Sequence, residues 1–361
     1  MAFPTARGGV TMDSFYSATI DHLHEKGVFE DNVFMTTPLY AWLKSKGQVK
    51  PFTGGAKIEV KIMHGSNGTV GSYGSYEELD ISPQDGKTTV YYDTAEYAGA
   101  ITLSNKELAA NRSKEQAVNL VMANGKQTAL TFGEKMSQDL HDAAGITVGA
   151  GVGTTGNSGK NILGLPLMIH YDAASTAHSL AGLDPVTNAS EAFWVNQLTD
   201  YGATNTAVNM ANKLSDLYVN ITAKGPGGQP DFGVCDLTTW TKIVAAMETY
   251  KRYATSDEKL AGLGFENVKY LNCSIAPDPY CSDPEAGLNY DNPPTAGVLY
   301  MLHSDYVCLY QRSGRDFKPG PMKQAPKQMA KTSLLEWEGQ LVTNNRRKLG
   351  VLFGITKAVY A

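Results

Sequence analysis

Apolar and polar residues alternate strictly over 57–62. Ile58, Val60 and Ile62 fall on one side of an extended chain and Lys57, Glu59 and Lys61 on the other, the period-two signature of a half-buried strand. This strand opens a strand-rich arm over 52–104. The outer part of the arm, His64-Gly65-Ser66-Asn67-Gly68 and Tyr73-Gly74-Ser75-Tyr76, has too few aliphatic side chains for a local core, and Pro83-Gln84-Asp85-Gly86 turns the chain back. A two-stranded ribbon is marginal alone and an exposed strand edge invites association. The arm is therefore expected to rest on something outside its own domain, most simply a neighbouring copy of the chain. Ser104-Asn105-Lys106-Glu107 then has the spacing of a capping box. Val118, Met122, Ala129, Phe132, Met136 and Leu140 recur three, four or seven apart, which predicts a helix over 104–144, about 60 Å long at about 1.5 Å per residue.

Other segments are shorter. Phe15, Ala18, Ile20 and Leu23 predict an amphipathic helix over 12–27, followed by apolar anchors at Val33-Phe34 and over 38–43. Residues 145–160 are glycine-rich, and the apolar run 162–169 reads as a buried strand. Helical periodicity returns over 194–218 and 237–253, separated by a Gly/Pro turn at 224–230. A strand pair is expected over 297–310 around His303-Ser304-Asp305, a linker over 318–327, and closing strands over 334–359. The class is α+β.

With 361 residues, 42% of them hydrophobic, the chain can bury a substantial core in two or three units. A net charge of −5 argues against a dedicated nucleic-acid binder, so contact with DNA is expected to be non-specific. No signal-peptide core and no run of membrane-span length is present, which places the protein in the cytosol as an expectation. Cys235, Cys273, Cys281 and Cys308 form no CxxC pair and read as reduced thiols. Charge is uneven along the chain. Residues 73–99 hold six acids (Glu77, Glu78, Asp80, Asp85, Asp93, Glu96) against Lys87, and 312–331 hold six bases (Arg312, Arg315, Lys318, Lys323, Lys327, Lys331) against Asp316. Isolated charge runs are usually solvated surface; the sharper reading is attraction between the acidic ribbon of one copy and the basic edge of another.

Chemical motifs are weak. Gly151-Val152-Gly153-Thr154-Thr155-Gly156 matches GxGxxG, but a dinucleotide turn must open a helix, and here more glycine and an apolar run follow. His22 and His24 lie on different faces of a helix, and the prolines 277, 279 and 284 among Cys273, Asp278, Cys281 and Asp283 suggest a rigid loop in place of a metal site. No catalytic residue, cofactor or metal is assigned, and no enzymatic activity is expected.

In order and spacing these parts resemble the major capsid proteins of tailed bacteriophages, the Hong Kong 97-like fold. The resemblance covers essentially the whole chain. It is carried by Asn32-Val33-Phe34 to Trp42-Leu43, Gly54-Gly55-x-Lys57-Ile58, the ribbon with Asn67-Gly68 and Pro83-Gln84-Asp85-Gly86, and Ile162-Leu163-Gly164-Leu165. Ala181-Gly182-Leu183-Asp184 before Phe193-Trp194, and the stretch from Gly339 to Arg347, complete it. The resemblance implies an N-terminal arm (1–51), an extended β-hairpin loop (52–103), a peripheral domain (104–175 and 330–361) with a spine helix over 104–144, and an axial domain (176–329). It implies self-assembly through hexamers and pentamers into an icosahedral or prolate head around double-stranded DNA. The implied place is the virion, with assembly in the host cytoplasm, and the implied partners are portal, scaffolding and decoration proteins. Glu77, Glu78, Asp80, Arg312, Arg315, Lys318, Arg346 and Arg347 are the expected inter-subunit contacts. The alternatives are an encapsulin-like nanocompartment shell and a nucleotide-binding enzyme using the loop at 151–156.

Overall fold

The computed structural model describes residues 38–65, 67–106, 114–141, 160–170, 179–185, 188, 191–202, 204–224, 227–249, 267–281, 296–324 and 329–356. The expected helix over 12–27, the glycine loop at 151–156, His22, His24 and Asp283 lie outside them. The described chain opens with helix α1 (Pro38–Ser45), then β1 (Val49–Phe52), β2 (Lys57–Met63), β3 (Lys87–Asp93), β4 (Ala95–Ser104) and the long helix α2 (Lys114–His141). Short helix α3 (Leu165–Met168) precedes β5 (Gln197–Asp200), α4 (Ala207–Ala223), β6 (Phe232–Cys235), α5 (Leu237–Thr249), β7 (Val268–Tyr270) and β8 (Cys273–Pro277). The last strands are β9 (Ala296–Leu302), β10 (Val307–Pro319), β11 (Lys323–Gln324), β12 (Ala330–Thr343) and β13 (Gly350–Thr356).

These strands build two sheets and one free ribbon. A five-stranded sheet runs β1-β10-β12-β11, with β4 on the other side of β12. A six-stranded sheet runs β5-β13-β9-β6-β8-β7, and β2 with β3 forms the ribbon. Period-two alternation divides the core. Leu299 and Met301 face α4 and α5, while Val298, Tyr300 and Leu302 face a larger core shared with the five-stranded sheet. On α4, Met210, Leu214, Leu217 and Ile221 repeat at helical spacing and are buried, and Thr206 caps the helix by accepting the Asn209 amide. On α2, Ala129, Phe132, Met136 and Leu140 are buried. They pack over β4, where Gly99 permits close approach: a Cβ there would lie 2.9 Å from Thr128 and 3.6 Å from Phe132.

Several expectations change. Residues 165–168 are buried as expected but helical, because an apolar run this short carries no period of its own and Pro166 sits in the first turn, where proline favours a helix. Of the helical stretch expected over 194–218, residues 197–200 are strand β5. The strands of 297–310 do not pair with each other: the 3-10 turn Ser304–Tyr306 sends β9 into one sheet and β10 into the other. A second turn, Arg346–Lys348, does the same for β12 and β13, and the Asn344 amide donates to Tyr306 O at 3.3 Å, joining the two crossings. The expected linker over 318–327 contains the end of β10 and all of β11. Ser104 accepts the Lys106 amide at 3.2 Å as a cap would; Glu107 lies outside the described residues. All four cysteines are free and buried.

Candidate assembly interface

The ribbon is built from its register upward. Pairing of Ile58 with Tyr92, Val60 with Val90 and Ile62 with Thr88 puts one apolar face toward the body, and Ile58, Ile62, Val90 and Tyr92 are buried. Tyr92 donates its phenol to Thr343 O at 2.9 Å, and burial pushes its pKa above the usual tyrosine range, so it remains a neutral donor. Next to Tyr92, the Tyr91 amide donates to Ala181 O at 3.4 Å, and further out His64 stacks on Phe193 at 4.2 Å. Beyond these contacts the two limbs close on each other. The His64 and Gly65 amides both donate to Gly86 O, and a Cβ on Gly65 would meet Gly86 Cα at 2.8 Å.

Past this neck the segment 67–85 carries no strand. Its hydrogen bonds are local: Asn67 accepts from Thr69, Glu77 accepts the Gly74 amide at 2.7 Å, and Asp80 accepts the Ser82 amide at 2.9 Å. The Ser82 bond holds the Asp80 carboxyl below its ordinary value. Five large apolar side chains, Val70, Tyr73, Tyr76, Leu79 and Ile81, stand exposed there, Ile81 by 91%. So dense a cluster in one short segment exceeds the scattered single residues of an ordinary surface. It was legible only as a missing local core. The acids Glu77, Glu78 and Asp80 lie among these residues, all exposed.

Arg312 and Arg315 of the basic stretch are committed within the subunit. Arg312 pairs with Glu338 at 2.6 Å and lies over the Phe52 ring. Arg315 reaches Glu338 at 2.9 Å, Glu96 at 3.4 Å and Glu336 at 3.8 Å. Glu96, counted with the acidic ribbon, is thus paired in its own chain. Lys318 is exposed with no ion pair among the described residues. Arg347 donates to Phe193 O at 2.9 Å and sits over that ring. Arg346 is fully buried. It donates to Met168 O and Trp194 O, each at 3.1 Å, and to Asn196 Oδ1 at 3.3 Å. Burial pulls its pKa down to about 10, which leaves it charged at neutral pH. The structure therefore brings Arg312 and Arg315 together at Glu338, leaves Glu77, Glu78, Asp80 and Lys318 on the surface, and turns Arg346 inward.

The loop considered for a metal is tied up differently. Cys273 is inside β8, and Asp278 pairs with His141 at the end of α2, 3.0 Å apart and buried. Among the described residues no group of three or more His, Cys, Asp or Glu is placed to hold a metal ion, and no helix is long and apolar enough to cross a membrane.

No family model matches the chain, and no curated protein matches it. Solved structures do. The capsid of cyanophage A-1(L) shares 15% identity over 89% of this chain and 93% of its own, with a TM-score of 0.56. A SrpI encapsulin from Synechococcus elongatus matches at 10% identity over 89% of each chain, TM-score 0.53. The chain has a Hong Kong 97-like capsid fold. The capsid of a native GTA particle spans 99% of this chain and 95% of its own at 12% identity, TM-score 0.50. The mixed helix and strand content agrees with that fold.

Proposed function

We propose that this chain is the major capsid protein of a tailed double-stranded DNA bacteriophage, assembling through hexamers and pentamers into a closed head. The observation that carries the reading is the segment 67–85, which exposes five large apolar side chains and makes only local hydrogen bonds. Its contribution to its own subunit is small, and covering it requires a neighbour. Closed symmetry supplies one, because a patch that meets a different patch on the next copy closes into rings. In this reading 1–51 is the N-terminal arm, 52–103 the extended loop, 104–175 and 330–361 the peripheral domain and 176–329 the axial domain. Scaffolding, portal and decoration proteins are the partners, and packaged DNA is contacted without sequence preference. The virion shell is the place of action and no chemical step is involved. A second reading, a nanocompartment shell enclosing a cargo protein, is favoured by the likeness to the SrpI encapsulin.

The test is excision of 67–85. Gly65 and Gly86 already touch, so a short Gly/Ser link rejoins the neck, and loop-closure cost changes only slowly with length. The expected result is a folded subunit, by thermal unfolding, that forms no shells in electron micrographs, while the intact chain forms shells, tubes or rings. Shells from the excised chain, or an intact chain that stays monomeric with and without a co-expressed scaffold, would refute the reading. Nuclease-protected DNA against a co-purifying cargo protein separates the two shells.

A further inference from the structure

The six-stranded sheet ends on two short strands, β5 and β7, whose outer sides no described residue pairs. Gln197 and Tyr201 turn their amides to Leu349 O and Phe353 O, so alternation points the backbone groups of Leu198 and Asp200 to the free edge. On the other side, the Ser274 amide of β8 turns away to Asp231 O. Its register partner Lys269 therefore presents its own N–H and C=O outward. Two open edges on one sheet are an association hazard unless something covers them.

The two edges are chemically complementary. Beside β5, helix α4 borders a notch of about 430 Å³ lined by Thr199, Asp200, Lys213, Asp216, Val219 and Asn220. The Thr199 hydroxyl is buried there without a partner. Asp216 is exposed with no ion pair among the described residues, and Val219 is exposed beside it. Strand β7 carries Lys269, half-exposed and equally unpaired. The chain then turns at Leu271, an exposed leucine at φ 52°, a left-handed conformation that costs a side chain of this kind energy. One edge thus offers two acids, Asp200 and Asp216, against the single base Lys213, together with apolar surface, and the other a base and an apolar knob.

We propose that β7 of one copy lies against the free β5 edge of the next, with Lys269 beside Asp200. The inference rests on the self-assembly reading and names the surfaces that meet around a ring. Strand directions allow it: following the pairings across the sheet, β7 runs opposite to β5. Two sheets set side by side in the same sense therefore meet as an antiparallel pair, in which one residue exchanges both backbone bonds with the residue facing it. The faces agree too. Tyr201 and Tyr270 both point to the α4–α5 side, so Asp200 and Lys269, one position away in each strand, share the opposite face. The contact joins unlike edges and so propagates head to tail, closing where the rotation permits.

Lys269→Glu and Asp200→Lys, singly and together, test it, with thermal unfolding of each variant as the control for folding. Each single change should raise the protein concentration needed for rings or shells roughly tenfold or more, and the double change should restore most of the loss. In parallel, Lys269→Cys with Asp200→Cys, oxidised after assembly, should give a ladder of disulfide-linked subunits on a denaturing gel; this readout decides if a charge variant misfolds. Single variants that assemble like the parent, a double variant no better than the singles, or assembled particles without the ladder overturn the edge pairing and leave self-assembly standing. A parent chain that never assembles overturns both.

Discussion

Replacing Arg346 by methionine isolates what a fully buried guanidinium contributes to this fold. Met168 O, Trp194 O and Asn196 Oδ1 each lose a charged donor, and Asn196 in turn orients His170 by accepting its amide and donating to its carbonyl. A buried acceptor left without a donor costs about 1–3 kcal/mol. Removing the charge returns part of its desolvation penalty, and methionine keeps much of the volume, so the net loss is set at about 3 kcal/mol. For a chain this long the urea dependence is near or above about 3 kcal/mol per molar, which converts the loss to a midpoint lower by about 1 M. Trp194 lies 5.9 Å beneath the guanidinium and reports the transition by fluorescence, measured on dilute, dissociated subunit. Arg346→Lys should recover only part of the loss, because an ammonium lacks the planar fork that spans three acceptors. A loss below about 1 kcal/mol, or equal losses for lysine and methionine, would refute the account and return Arg346 to the candidates for contact between subunits.

Two further outcomes follow from packing and burial. Gly99→Val should lower stability by about 1–3 kcal/mol through overpacking against Thr128 and Phe132; an unchanged melting temperature would mean that α2 does not rest on β4 this closely. Burial raises the thiols of Cys235 and Cys273 above 9.0 and the phenol of Tyr92 above 10.0. Above those values the unfolded chain gives up protons that the folded chain keeps, so stability falls as pH rises, by about 1.4 kcal/mol per pH unit for each group. Urea midpoints taken between about pH 8 and 10.5 should therefore decline less steeply in Cys273→Ala than in the parent, and equal slopes would exclude this origin.

The parts of the fold written in local pattern were legible in the sequence. Strand β2 announced itself by alternation, α2 by its stripe of Ala129, Phe132, Met136 and Leu140, and the distal ribbon by the shortage of partners for a core. What failed to show were decisions made far along the chain. The strands flanking His303 look like a hairpin because both alternate, and only the turn at Ser304–Tyr306 separates them. Arg312 and Arg315 read as free basic surface because Glu338, which neutralises them, comes from β12, 23 residues beyond Arg315. Arg346 stands in Asn344-Asn345-Arg346-Arg347, as polar a stretch as any on a surface. Nothing local reveals that the carbonyls of Met168 and Trp194, more than 150 residues earlier, close around it.

The same two stretches of backbone, 296–319 and 330–356, run side by side through both sheets: β9 pairs with β13 in one and β10 with β12 in the other. A force drawing the sheets apart is consequently carried along these strands. Hydrogen bonds strained along a strand axis must give way together, whereas bonds pulled across an edge open one after another like a zipper. In the proposed shell each subunit is strongest through its middle and weakest where its short edge strands would meet a neighbour. A wall of such units under pressure from within would part along its seams, and the bricks would come away whole.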